Sequence, residues 1–500
     1  MKALVVIGNN DYMALEEAVK RNREEGYEIY FLLCGPAFRG CNICSCCDRA
    51  TCVLCTHTMR KLIRPLVRSG QGYHLIEMPR LLTPAMKEDA ASFDLAYTDV
   101  QSLKALTFHG VEIGYGAFST FVTYTRNVMP TFNDTLKSYL DALMRSEIRQ
   151  TLVLETLFDS LKPDLVVFHN GRFANYKPIY NLARDRGIRY VATEQGRMPD
   201  GEMRKNNYEN DIPHSFDAIG GKVAIAWKNA GEKGEEIGRS FFENRRNAKY
   251  AGDKIYTAGQ KAGELPEGFD ESKRNIAIFN SSEDEFFSIS RDYDQSVLFP
   301  NQFEALKTLF EHYKEEPDIH FYLRIHPNLK SVPWKSHTML YELKYPNVTI
   351  IPPSSPISSY TLMDKAEKVI VFNSTMGLES SYWGKAVVAL SRCAYSDFGL
   401  VYSPSDVRGV YELIDDPDLP PLQNKENCYK MACYLLRYAM EPYRYYPLTT
   451  RMLSHSIEVI PLFRFLGSPV LYAYLCRFLR KMSTRIGSGR RFRHLAERTA

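Results

Sequence analysis

The sequence predicts an α/β fold built from two doubly wound halves. Short aliphatic runs, each long enough for one buried strand, alternate with helical segments along the chain. The alternation begins twice, at the N-terminus and again near residue 275, with a polar stretch between the two. Several runs end in polar, Gly or Pro clusters, and ligands of open α/β sheets bind at such carboxyl ends.

Residues 2–8 form a buried-strand pattern, 15–25 a helical charge pattern and 27–33 a second strand, which together make a β-α-β opening. It lacks GxGxxG, so the dinucleotide fingerprint is absent. The unit recurs as a strand at 164–169, a helix at 177–186 and a strand at 188–194. The stretch 231–274, rich in Gly, Lys and Glu, is expected to connect the halves. The second half opens with a strand at 275–279, continues through a helix at 300–314 and strands at 320–325 and 368–372, and reaches a strand at 386–390. The predicted domains are 1–245, a linker at 246–274, a second domain at 275–450 and a basic amphipathic segment at 451–500.

Composition is that of a globular protein: 500 residues, 45% hydrophobic and 24% charged. A net charge of +4 is too small to argue for a nucleic-acid partner. The N-terminal strand runs straight into a polar turn, without the longer apolar region of a signal peptide, and no apolar run reaches the roughly 18 residues of a membrane span. A cytoplasmic location is expected. Charge is uneven, since nine Lys or Arg and a single acidic residue, Glu497, follow Pro461. That tail is expected to touch the inner face of the cytoplasmic membrane, where each basic residue adds about 1 kcal/mol on an anionic surface. The plain alternative is a helix packed on the core with a basic tail.

Two strand ends carry the strongest functional signal. Arg324-Ile325-His326-Pro327-Asn328 follows one strand, and Asn373-Ser374-Thr375-Met376-Gly377-Leu378-Glu379 follows another. A helix start after Ser374 and Thr375 offers unpaired N–H groups and hydroxyls to an anion, with Arg324 and His326 as the opposing positive charge. Glu379, one turn into that helix, can accept from ribose hydroxyls, or simply stabilise the helix N-terminus.

These motifs resemble the bacterial GT-B glycosyltransferases of capsule and surface-polysaccharide synthesis, which include the Kdo-transferring capsule proteins. The resemblance extends to Asn280-Ser281-Ser282-Glu283-Asp284-Glu285, to Phe168-His169-Asn170-Gly171-Arg172 and to Glu194-Gln195-Gly196, in order over roughly residues 1 to 400. It implies two Rossmann-like domains facing across a cleft, with His326-Pro327, Ser374 and Thr375 on the donor nucleotide. It also implies transfer from a nucleotide sugar, CMP-Kdo or a similar CMP-sugar first and UDP- or GDP-sugars next, to a glycan or glycolipid acceptor. Ser281 and Ser282 join Arg324, Pro327, Asn373 and Glu379 in the nucleotide set. Such a transferase needs a base for the acceptor hydroxyl or groups that stabilise the departing phosphate. Glu194 is the first candidate base, with His169 and Asp200 as competitors, and Asn170 and Arg172 suit acceptor recognition. No convincing Asp-rich metal motif is present, Asp415-Asp416-Pro417-Asp418 preceding a Pro-Pro loop, so metal-independent chemistry is expected. Other readings are a CDP-polyol phosphotransferase, a metal- or redox-sensing protein, and a capsule assembly or export factor.

Seven of the 11 cysteines fall between Cys34 and Cys55. In a cytosolic protein this density favours thiolate ligation of a structural zinc or an iron–sulfur cluster over disulfides, with reduced thiols as the other reading. Cys41, Cys44, Cys52 and Cys55 are the expected ligands, with Cys47 as substitute, on a Cys-rich loop at 34–55 inserted in the first domain.

Overall fold

The computed structural model describes residues 1–445 apart from 9–11, 39, 43–48, 199–201, 253 and 296–297. Asp200, Cys44, Cys47 and the basic segment 451–500 therefore lie outside the described residues.

The strands are β1 (Lys2–Ile7), β2 (Glu28–Leu33), β3 (Tyr73–Glu77), β4 (Leu165–His169), β5 (Arg189–Arg197), β6 (Met203–Glu209), β7 (Arg274–Phe279), β8 (Ile319–Arg324), β9 (Val348–Ile351), β10 (Lys368–Val371), β11 (Ala386–Ala389) and β12 (Glu441–Pro442). The first sheet has the order β12-β6-β5-β4-β1-β2-β3, and the second β11-β10-β7-β8-β9. Every pairing in the second sheet is parallel, whereas β6 runs antiparallel to both β5 and β12 in the first. Strand order reverses between β1 and β4 and again between β7 and β10. Each reversal opens a crevice at the carboxyl ends where a ligand fits between diverging loops.

Both sheets are covered on both faces, which is why their strands read as unbroken aliphatic runs. In the first, Ala3, Val5 and Ile7 pack towards helix Tyr12–Glu25. Leu4 and Val166 face the other way, into the core of helices Ile113–Thr125 and Asp134–Leu161. In the second, Ile276 and Ile278 meet helix Gln302–Tyr313, while Ala277 and Phe279 meet the opposite core. This is GT-B architecture: two Rossmann-like lobes across a cleft.

Three expectations need correction. The domain boundary moves, because helices Phe216–Ala230 and Gly234–Arg246 send Ile219, Val223, Phe241 and Phe242 into the core of the second lobe. Their amphipathic pattern marks a buried face but not which lobe buries it. The strand expected to end at Glu194 continues as β5 to Arg197 and forms a hairpin with β6, pairing Glu194 with Asn206. The segment 34–55 is not wholly a loop: a 3-10 turn at Pro36–Phe38 precedes helix Arg49–Arg68, whose early turns carry Cys52 and Cys55. That helix holds because Met59 and Ile63, with the partly buried Cys55, Leu62 and Leu66, recur on the face packed against the core of the first sheet.

The lobes interlock. Phe286, Phe287, Ile289 and Tyr293 belong to the second lobe by sequence but pack on the first lobe's core. The Lys177 ammonium, fully buried in the first lobe, donates to the Ile289 carbonyl at 2.9 Å. Trp334 Nε1 donates across the seam to the Thr125 carbonyl at 2.7 Å. After helix Lys425–Leu435 the chain returns to the first sheet as β12, and the N–H groups of Arg444 and Tyr445 donate to Glu16.

Candidate functional site

The turn after β8 is shaped by its own sequence. Pro327 opens a 3-10 turn at Pro327–Leu329, where its missing N–H costs nothing. His326 caps the turn: its Nδ1 accepts the Asn328 N–H at 3.1 Å, and its own N–H donates to Asn280 Oδ1 at 2.7 Å. An accepting Nδ1 places the proton of the neutral ring on Nε2.

Facing it across the β7–β10 reversal, Ser374 caps helix Thr375–Tyr382 and accepts the Met376 N–H at 3.3 Å. The helix start sits close against β10 because residue 377 is glycine. A Cβ there would lie 2.3 Å from Tyr395 Oη and 2.8 Å from Val371 Cγ2, and the same Tyr395 hydroxyl donates to the Ser374 carbonyl. Gly377→Ala is expected to cost about 1–3 kcal/mol through overpacking and to weaken anion binding at the helix start. Thermal unfolding with a nucleotide titration checks this, and an unchanged melting temperature would show that the helix can shift freely.

His326, Pro327, Ser374, Thr375, Glu379 and Arg324 line one cavity, together with Arg245, Lys249, Lys254 and Tyr256. Its enclosed volume is about 60 Å³, room for a phosphate-sized group with the rest of a nucleotide in the open cleft. Among the described residues, Glu379 is the only carboxylate in this lining. Arg324 is 3% exposed; its two terminal nitrogens donate to the carbonyls of Pro352 and Ser355, and among the described residues its Nε has no hydrogen-bond partner. Burial pushes the guanidinium down to about 10, which leaves it charged at neutral pH. A buried cation held by neutral carbonyls rather than a carboxylate favours an incoming anion.

The geometry redistributes other expected roles. Glu379 is fully buried, and its two oxygens accept from Arg245 Nε at 2.9 Å and from the Tyr360 hydroxyl, so it holds Arg245 rather than waiting for a ribose. Arg245 also donates to Thr375 Oγ1 at 3.0 Å. Ser281 and Ser282 do not line this cavity: Ser281 binds the Gln302 side chain, and Ser282 lies between Arg126 and Asp284. Their neighbour Asn280 lines it instead, and Asn373 faces a second, larger cavity.

At the first lobe's sheet end, Asn170 adopts a positive φ of 57° and donates its side-chain amide to Glu194. Arg172 reaches across the seam to the Glu285 carbonyl at 3.1 Å. Both are thus committed to positioning, in place of the acceptor contacts expected of them. His169 Nδ1 lies 2.8 Å from the Thr193 carbonyl, which fixes the proton on Nδ1 and leaves Nε2 with a basic lone pair. His169 and Glu194 line neither cavity.

Sequence reasoning missed the cations Arg245, Lys249 and Lys254 and the ring of Tyr256, which stands edge-on to His326 with centroids 5.1 Å apart. Their signal was a basic cluster inside the presumed linker, which reads equally as a solvated connection. Cys34, Cys41, Cys52 and Cys55 line a cavity of about 30 Å³ beside the β1 end, and Cys41 packs on Cys52. Among the described residues no three His, Cys, Asp or Glu side chains are gathered to hold a metal ion.

Residues 292–407 match the capsule polysaccharide biosynthesis protein family, a span that contains both the His326-Pro327 and the Ser374-Thr375 turns. No curated protein is significantly similar in sequence. Among solved structures, the chain is similar to a KpsC β-Kdo 2,4-transferase from Thermosulfurimonas dismutans at 14% identity, covering 54% of this chain and 79% of that one, with a TM-score of 0.33. A KpsC β-Kdo 2,7-transferase from the same organism gives 16% identity, 56% and 80% coverage and a TM-score of 0.32. UDP-GlcNAc 2-epimerase from Neisseria meningitidis, bound to UDP-GlcNAc, gives 11%, 87% and 97%, and 0.23.

Proposed function

We propose that this protein, whose residues 292–407 carry the capsule polysaccharide biosynthesis signature, is a GT-B glycosyltransferase that moves a sugar from a nucleotide donor to a growing capsule glycan. The observation that carries the proposal is the cavity between the two turns, where Arg324 stays charged without a carboxylate partner among the described residues. The donor phosphate sits between His326 Nε2–H and the helix start at Ser374 and Thr375, with Arg324 and Arg245 behind it. A CMP-sugar is the favoured donor, ahead of UDP- and GDP-sugars.

In the transfer, the acceptor oxygen bonds to the anomeric carbon as the bond from that carbon to the phosphate oxygen breaks. The electron pair leaves with the nucleotide phosphate, and the acceptor proton passes to a base of the first lobe. His169 suits that task because its Nδ1–H is already committed to the Thr193 carbonyl. Glu194, steadied by Asn170, is the second candidate. Charge developing on the departing phosphate is met by donors fixed beforehand, which cost no reorganisation at the moment of reaction.

Calorimetric titration with CMP, CDP, UDP and GDP tests the donor site. One nucleotide class is expected to bind selectively, and His326→Ala to weaken it by about 10-fold or more, the worth of a charge-assisted hydrogen bond. Failure of a folded protein to bind any of the four rules the donor site out.

A further inference from the structure

The cysteines that sugar transfer does not use meet in the first lobe. Cys34 follows β2, Cys41 follows the turn Pro36–Phe38, and Cys52 and Cys55 lie one turn apart on helix Arg49–Arg68, yet all four border one cavity of about 30 Å³. Gly8, just past β1, and Asn175 and Tyr176, in the connection after β4, border it too. The cavity therefore sits at the carboxyl ends of the first sheet, at the β1–β4 reversal where open α/β sheets take a ligand. We propose that this crevice holds an iron–sulfur cluster ligated by Cys34, Cys41, Cys52 and Cys55. Cys34 takes the place that spacing gave to Cys44, which with Cys46 and Cys47 lies outside the described residues.

The surrounding chain is built to hold these thiols in place. A Cβ at Gly40 would come within 2.9 Å of the Ala142 carbonyl oxygen and of Ser146 Cβ, so glycine lets the chain press on helix Asp134–Leu161 immediately before Cys41. The Asn42 N–H, immediately after it, donates to Asn175 Oδ1 at 3.2 Å. The Thr56 hydroxyl donates to the Cys52 carbonyl at 2.8 Å and lies 3.3 Å from the Cys34 carbonyl, which ties the helix to the end of β2. Cys52 ends the first turn of its helix, where the positive end of the helix favours a thiolate.

The arrangement fits a cluster better than a single ion. A tetrahedral zinc with bonds near 2.3 Å draws its sulfurs to about 3.8 Å from one another. Cys41 packs on Cys52, but among the described residues no third ligand joins them within reach of one ion. A cluster spreads the same four thiolates over several iron atoms, so its ligands stand around a rim instead of converging on a point. Val6, Ile7, Phe38 and Met78 supply an apolar wall, and the side-chain amides of Gln150 and Asn175 supply N–H donors of the kind that stabilise cluster sulfur. The cluster goes beyond the transferase reading and does not depend on it.

Anaerobic reconstitution of the whole chain with ferrous iron, sulfide and dithiothreitol tests the assignment. The protein is expected to turn brown, with broad visible absorption and nearly equal iron and acid-labile sulfide; about two or about four irons per chain separates the two common cluster types. Cys34→Ser should lose the visible absorption, whereas Cys44→Ser, Cys46→Ser and Cys47→Ser combined should keep it. Alkylation by iodoacetamide, mapped by mass spectrometry, reads the ligands without any substitution. Cys34, Cys41, Cys52 and Cys55 should be protected in the reconstituted protein and lose that protection once a chelator strips the iron, because a ligated sulfur is no longer a nucleophile. A protein that stays colourless, that carries zinc without sulfide, that keeps its absorption in Cys34→Ser, or whose iron-dependent protection maps to Cys44, Cys46 or Cys47 overturns the proposal.

Discussion

Glu379→Ala should destabilise the protein by about 3–5 kcal/mol, the cost of leaving one member of a buried ion pair without the other. The carboxylate is fully buried, and Arg245, with 17% of its side chain exposed, is held by it at 2.9 Å. The Tyr360 hydroxyl loses its acceptor in the same substitution, and an unsatisfied buried donor adds to the penalty. Glu379→Gln keeps the shape and one acceptor oxygen, so it should cost less. Added nucleotide should recover part of the lost stability in the Ala variant, because its phosphate returns negative charge to Arg245 and ligand binding to the native state stabilises it by mass action. Urea unfolding with and without the tightest-binding nucleotide measures both effects. A loss below about 1 kcal/mol, within the range of an exposed pair, would mean that Glu379 is not what holds Arg245, and would return it to the ribose-accepting role first expected of it.

A loss of similar size, about 3–5 kcal/mol, is expected for Glu17→Ala at the far edge of the first lobe. Glu17 is fully buried on helix Tyr12–Glu25 and accepts from Arg21 Nε at 2.7 Å, from Lys205 Nζ at 2.7 Å and from Asn207 Nδ2 at 2.8 Å. It ties that helix to β6, the partner of the β5 hairpin that carries Glu194. Without it, Lys205, 1% exposed, keeps only Glu441 at 3.7 Å among the described carboxylates. Burial alone would raise the Glu17 carboxyl, but Lys205 foremost, then Arg21 and Lys20, outweigh it and bring the carboxyl down to about 2. A carboxylate lowered on folding contributes stability that is fully present above its ordinary value near 4.5 and is lost as pH falls through about 2. The wild-type protein should therefore lose stability between these limits more steeply than Glu17→Ala, which has already forfeited that contribution. Parallel acid-unfolding curves for the two proteins would show that Glu17 is not the group being titrated.

The sequence by itself determined the alternation of strands and helices and the turns that hold His326 and Ser374. These are local properties. A buried parallel strand needs a run such as Lys-Val-Ile-Val, a 3-10 turn welcomes Pro327 at its start, and a helix N-terminus selects a hydroxyl such as Ser374, each within a few residues. Tertiary structure decided which polar residues face the cleft and which are consumed in holding it. Nothing near Glu379 in the chain shows that Arg245, 134 positions earlier, takes its carboxylate. Nor does the Gly- and Lys-rich stretch around Lys254 show that Lys254 and Tyr256 line the cavity between the two turns instead of lying in solvent. The helices between residues 216 and 246 present a buried face that either lobe could have covered, and only packing against Tyr429 and Tyr382 assigned them to the second. Ion pairing, burial and lobe membership depend on contacts between distant segments, and a periodicity read over a dozen residues cannot contain them.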